Sequence, residues 1–304
     1  MLVACVWVNR MRHSIKVMII NAFVIAGCAW AAVAMATGLR YEAPLHESSW
    51  ETSSSPLECR LSHTISYYGT ASFVRPAGRD IYLRLNIDQG GPSGGKARLV
   101  ALPSAWQHKL RGRNLGKVKY RGGQDPFRFS RLQVRDMLAS LELGERPALH
   151  YHSRQSGAGE VQVILSSINF RAGMEEFRTC MAGLIPLDYK SASNTNILFG
   201  NRGAVLDKAS KQRLRAIAMF VKADKEIKQV TLEGYSDNIG SRGSNYALSR
   251  NRAVAVREYL LKRGVPASMI EFEYFGEHQP AYSNRTRKGR LLNRRVQVQL
   301  IKDN

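Results

Sequence analysis

Apolar and polar residues alternate at period two in four stretches of the first half of the chain. They are Leu61-Ser62-His63-Thr64-Ile65-Ser66-Tyr67-Tyr68, Ile81-Tyr82-Leu83-Arg84-Leu85-Asn86-Ile87, Ala148 to His152 and Val161 to Leu165. Alternation puts every second side chain on one face of a sheet, so each stretch predicts a strand. Two segments change the period. Val134, Met137, Leu138 and Leu141 recur at helical spacing over 132–143 and stop at Gly144, and Met174, Phe177, Met181 and Leu184 do so over 172–184. Gly90-Gly91-Pro92-Ser93-Gly94-Gly95 reads as a loop. The pattern predicts a β-rich barrel or sandwich domain with two helices over 37–184.

The second half has another rhythm. A strand at Thr195–Phe199 leads to a helix over 207–223, with Leu206, Leu214, Ile217 and Val221 along one face. Val230-Thr231-Leu232-Glu233-Gly234 reads as a short buried strand, and a helix over 245–263 ends at Gly264, with Pro266 beyond it. Two more strands, Ile270–Phe275 and Arg295–Ile301, complete a βαβαββ order, which implies an α+β domain over 194–304. Pro186 and small polar residues at the composition break mark 185–193 as a linker.

The N-terminus changes what the charge means. A formal net charge of +21 on 304 residues would by itself suggest nucleic acid. However, the first 36 residues carry no acid, and a basic segment, Met11-Arg12-His13-Ser14-Ile15-Lys16, precedes an uncharged run from Val17 to Ala36. That run is long enough to span a bilayer, but it closes on Ala34-Met35-Ala36, a signal-peptidase pattern. Residues 1–36 are therefore expected to be a signal peptide, leaving no transmembrane segment in the mature chain, and Met11 is an alternative start. Ile25-Ala26-Gly27-Cys28 offers a rival reading as a lipobox, followed by apolar residues where a polar tether would be usual. Export removes nucleic acid as a partner and leaves the wall or other envelope polyanions. An outer-membrane barrel is disfavoured, because the strands are few and show no lipid-facing band with aromatic girdles.

Of four cysteines, Cys5 and Cys28 lie in the leader. Cys59 and Cys180, the two that remain in an oxidising compartment, are expected to form a disulfide. His150 and His152 point the same way on a strand but lack a third metal ligand, so an exposed strand face explains them. No HExxH or Walker pattern occurs, and no metal, cofactor or catalysis is expected.

The chemistry sits in Leu232-Glu233-Gly234-Tyr235-Ser236-Asp237-Asn238-Ile239-Gly240 and Asn245-Tyr246-Ala247-Leu248-Ser249-Arg250-Asn251-Arg252-Ala253. Asp237 follows a strand, and Arg252 lies two turns into the predicted helix with a side chain leaning back toward the same mouth. Opposite charges converging there make either a structural ion pair or a clamp for a small zwitterion.

With Gly276-Glu277-His278-Gln279-Pro280 and Asn293-Arg294-Arg295-Val296, these segments resemble the OmpA-like domain over some 100 residues. The resemblance implies binding of the diaminopimelate residue of peptidoglycan stem peptides. Asp237 would hold the amino group and Arg252 the carboxylate. Asn245 would be a polar contact, Ser236 a weaker one, and Phe199 a wall of the pocket. Tyr235 departs from the His often found at its position.

In the first half, Tyr41-Glu42-Ala43-Pro44-Leu45, Leu57-Glu58-Cys59-Arg60-Leu61 and the helix carrying Cys180 resemble the MotY family of flagellar T-ring proteins. That implies a periplasmic, non-enzymatic role, with a MotX-like protein, the flagellar basal body and the stator complex as partners. A general wall-anchoring protein or secretion-system tether is the alternative.

Overall fold

The computed structural model describes residues 38–303, apart from 89–91, 93, 105–106, 108–110, 154–158 and 202. The leader expected over 1–36, with Cys5, Cys28 and the cleavage pattern, lies outside these residues, as does part of the 90–95 loop.

The first half builds two open sheets, not a closed barrel. Strands β2 (Glu51–Ser54), β3 (Glu58–Ile65), β4 (Gly69–Pro76) and β5 (Tyr82–Ile87) form an antiparallel sheet in chain order. The second sheet has six strands: β1 (Leu39–Tyr41), β6 (Gly94–Leu102), β7 (Arg113–Arg121), β8 (Phe127–Arg128), β9 (Arg146–Ser153) and β10 (Gly159–Ile164). Their order is β1-β10-β9-β6-β7-β8, with only the β1–β10 pair parallel. Leu61, Phe73 and Leu83 of the small sheet share one core with Leu99, Leu149 and Val163 of the large one. The two predicted helices, α1 (Arg131–Glu142) and α2 (Phe170–Ala182), supply Met137, Leu141, Met174 and Phe177 to that core.

Cys59 on β3 is bonded to Cys180 on α2, with Cα atoms 5.9 Å apart and a sequence separation of 121. Tyr67 is the tip of the β3–β4 hairpin and not a strand residue: it has φ 62° and is 99% exposed. β4 escaped notice because Ala71, Ser72, Phe73 and Val74 are buried consecutively, which erases the period of two.

Residues 185–193 are packed, not extended as a free linker. Ile185, Leu187 and Ala192 belong to the core of the second half, the last of them on α3 (Tyr189–Ser193). The Ile185 N–H donates to Pro56 O at 3.1 Å, and Arg79 pairs with Asp188 at 3.0 Å, so this segment is a seam between the halves.

The second half contains β11 (Asn194–Leu198), α4 (Lys208–Ala223), β12 (Ile227–Gly234), α5 (Arg242–Lys262), β13 (Ile270–Tyr274), α6 (Arg287–Asn293) and β14 (Arg295–Lys302). The sheet order is β11-β14-β12-β13. Leu214 and Ile217 of α4 and Val256 and Leu260 of α5 cover Val230, Leu232, Val296 and Val298 on the sheet. α6 is an addition to the predicted βαβαββ order. Among the described residues no helix is long and apolar enough to cross a membrane.

Candidate functional site

α5 begins one turn earlier than its apolar pattern predicts, because Ser241 caps it by accepting from the Ser244 N–H at 3.2 Å. Its buried stripe is polar first and apolar after: Asn245, Ser249 and Arg252 precede Ala253, Val256 and Leu260. A helix face that buries polar groups needs partners for them, and the loops after β11, β12 and β13 supply these.

Ser249 accepts from the Gly276 N–H at 3.0 Å and donates to Tyr246 O at 2.8 Å. Gly234 ends β12 where α5 crosses it, and a Cβ there would lie 2.3 Å from Ser249 O. That close approach brings the next carbonyl, of Tyr235, within 3.1 Å of an Arg252 terminal nitrogen. The Arg252 Nε donates to Gly203 O at 3.0 Å and its other terminal nitrogen to Gly200 O at 3.2 Å. Three carbonyls thus hold the guanidinium, 5.5 Å from the Phe199 ring centre, and Arg252 exposes none of its surface. Burial pushes its pKa down to about 10, opposed by nearby Asp237, so it stays charged at neutral pH.

Asp237 does not pair with Arg252. One of its carboxylate oxygens accepts from Arg294 at 2.9 Å, and the other from the Ile239 N–H at 3.2 Å. Arg294 is fixed in turn by Nε donating to Phe199 O at 3.2 Å. Arg294 stands in the Asn293-Arg294-Arg295-Val296 motif, which by itself assigns it no role; its place beside Asp237 depends on β12 and β14 being neighbours.

Asp237, Arg252 and Arg294 line a cleft of about 990 Å³ with Asn201, Ile239, Leu248, Arg287, Lys288, Arg290 and Leu291. The other expected site residues stand around it. The Ser236 hydroxyl is buried and donates to Asp237 O at 3.0 Å. Asn245 is buried and donates to Glu277 at 2.5 Å. Phe199 is buried behind Arg252. Tyr235 offers its carbonyl to Arg252, while its ring stacks on Phe275 at 5.3 Å and its hydroxyl donates to Glu233 at 3.0 Å.

Both halves match known families. A family model described as MotY N-terminal domain matches residues 41–186, and one described as OmpA family matches 198–294. The chain is 32% identical over 273 residues to the sodium-type flagellar protein MotY of Vibrio parahaemolyticus, covering 86% of this chain and 90% of that protein. The chain belongs to the MotY family. The OmpA-type half is also similar to the peptidoglycan-binding protein ArfA of Mycobacterium tuberculosis, 42% identical over 36% of this chain and 35% of that protein. It is similar as well to the C-terminal domain of Helicobacter pylori MotB, at 23% identity over 36% of this chain and 85% of that one, with a TM-score of 0.34. In this MotY-family chain the α5 stripe, the Asp237 loop and the end of α6 all fall within the OmpA-family match.

Proposed function

We propose that the protein is a periplasmic structural component of the flagellar motor. It anchors to peptidoglycan through the diaminopimelate of stem peptides and helps hold stator units at the basal body. The motor assignment rests on membership of the MotY family. A MotX-like protein and the basal body would be partners of the first half, 37–184, and the wall the partner of the second, 194–304.

The observation that carries the wall-binding part is the charge arrangement at the cleft. Asp237 is matched by Arg294, whereas Arg252 is held by carbonyl dipoles and has no carboxylate of its own. A free diaminopimelate end carries one ammonium and one carboxylate. Its ammonium displaces Arg294 from Asp237, and its carboxylate is then shared by the released Arg294 and by Arg252. A guanidinium has five N–H donors, so three carbonyl bonds leave Arg252 with two. Exchange of one ion pair for two leaves neither Asp237 nor Arg294 without a partner and gives Arg252 a share in a carboxylate, which favours binding of charge in a partly dry site.

Sedimentation with isolated sacculi tests the site. The wild-type protein should pellet with diaminopimelate-containing sacculi, and Asp237→Ala should remain in the supernatant. Pelleting of that variant at wild-type level would overturn the assignment. Recovery of basal bodies with the tagged full chain tests the motor part.

A further inference from the structure

The cleft carries more positive charge than one zwitterionic head group needs. Five cationic side chains, Arg252, Arg287, Lys288, Arg290 and Arg294, face a single carboxylate, Asp237. Arg252 and Arg294 are accounted for above. Arg290 donates to Asn284 O at 2.8 Å and Arg285 O at 3.3 Å, bracing the loop before α6. Arg287 and Lys288 are exposed, and neither pairs with an acid among the described residues.

These two cations are presented on a fixed support. Thr286 caps α6 by accepting from the Gly289 N–H at 3.0 Å. Gly289 packs so closely that a Cβ there would lie 2.0 Å from Ser283 O. Asn293 closes the loop by donating to Tyr282 O at 2.7 Å and accepting from the Tyr282 N–H at 3.0 Å. The cleft volume lies at the upper end of the range for drug-sized ligands, about 300–1,000 Å³, far more than one amino-acid head group fills.

We propose that Arg287 and Lys288 recognise a second carboxylate of the stem peptide, the α-carboxylate of its γ-linked D-glutamate. The cleft then selects stem peptides in which that group is free over those in which it is amidated. This rests on the wall-binding reading and names the chemical form of wall it takes. The glutamate carboxylate is the fitting anion because it neighbours diaminopimelate in every stem peptide, cross-linked or not, whereas the terminal D-alanine carboxylate comes and goes with trimming. Amidation removes the charge and keeps the shape, so discrimination between the two forms is electrostatic.

Calorimetric titration of the full chain with disaccharide tripeptides, bearing either a free or an amidated glutamate α-carboxylate, tests the inference. The wild type should bind the free form about tenfold more tightly, the scale of a charge-assisted contact at a partly open site. In the Arg287→Ala/Lys288→Ala variant the ratio should fall to about one, with the free form bound as weakly as the wild type binds the amidated one. Circular dichroism checks that the variant is folded. Equal affinities in the wild type overturn the inference while leaving wall binding intact, and so does a ratio unchanged in the variant. No binding of either peptide by the wild type overturns the wall-binding reading itself.

Discussion

Asp237 and Arg294, 57 residues apart in the chain, form the ion pair of the cleft at 2.9 Å, while Arg252 is bound to backbone carbonyls alone. Both partners keep only 11% of their side-chain surface exposed, so water does little to replace either partner of the pair. Removing one leaves the other uncompensated in a partly dry site. Arg294→Ala should therefore cost about 2–3 kcal/mol of stability. Asp237→Asn combined with Arg294→Gln should cost clearly less than the sum of the single changes. A double-mutant cycle by urea denaturation measures the coupling; additive effects would mean that the pair is not formed in solution.

Arg252 has a structural burden besides the ligand role proposed for it. Arg252→Ala removes the donor from the carbonyls of Gly200, Gly203 and Tyr235, the last of them buried, and should destabilise the second half by about 1–3 kcal/mol. Arg252→Lys keeps the charge but not the planar fork, so it should recover only part of that loss. Thermal melting of both variants decides it. A melting temperature unchanged in Arg252→Ala would contradict the three-carbonyl arrangement.

The Cys59–Cys180 bond closes a loop of 121 residues, and chain-entropy reasoning assigns such a crosslink about 4–5 kcal/mol. A Cys59→Ser/Cys180→Ser variant should lose stability in its first half, with the second half affected far less. Free-thiol labelling of denatured, unreduced protein should find neither cysteine reactive.

His63 gives the first half an acid-sensitive point. Its Nδ1 lies 2.8 Å from Ser49 O and its Nε2 3.4 Å from the Ser166 N–H. The carbonyl requires a proton on Nδ1 and the amide requires a lone pair on Nε2, so the neutral ring fits both. Burial holds its pKa below the usual value near 6.5, against smaller opposing effects of the Ser49 bond and Glu42. The unfolded chain then binds the proton more readily, so the stability contribution is complete above about pH 6.5 and falls as the pH drops toward the folded value. The limiting slope is about 1.4 kcal/mol per pH unit. Urea midpoints from pH 7.5 to 5 should show this acid limb, and His63→Asn should flatten it.

The seam predicts where the second half can be cut. Ile185 and Leu187 are buried in its core, and the Tyr189 hydroxyl donates to Leu300 O at 3.1 Å. Burying two such aliphatic side chains is worth about 3–6 kcal/mol. A fragment starting at residue 185 should melt well above one starting at 194, and equal melting temperatures would show that the seam adds nothing to this half.

Much of the fold was legible in the sequence because its local periods are clean. The strands at β3, β5, β9 and β10 and the helices α1, α2 and α4 each follow one period, and each lies close to its predicted position. β4 was hidden by burial on both faces, and α6 by its length of seven residues, too short to display a repeat. The α5 boundary shifted because a polar turn capped by Ser241 extends the helix beyond its apolar stripe.

The two-part architecture, the disulfide pair and the segments that hold the site's charges could be read from residue order, since each is written in local pattern or in residue type. Tertiary structure alone decided which charges meet. The pairing of β12 with β14 places Arg294 beside Asp237, and the crossing of α5 over Gly234 brings Arg252 to the Tyr235 carbonyl. Helical spacing fixes the direction of a side chain but not the loops that converge on its tip. Partners drawn from residues 17 to 57 positions away are set by how sheet and helices close over one core, and no local period records that closure.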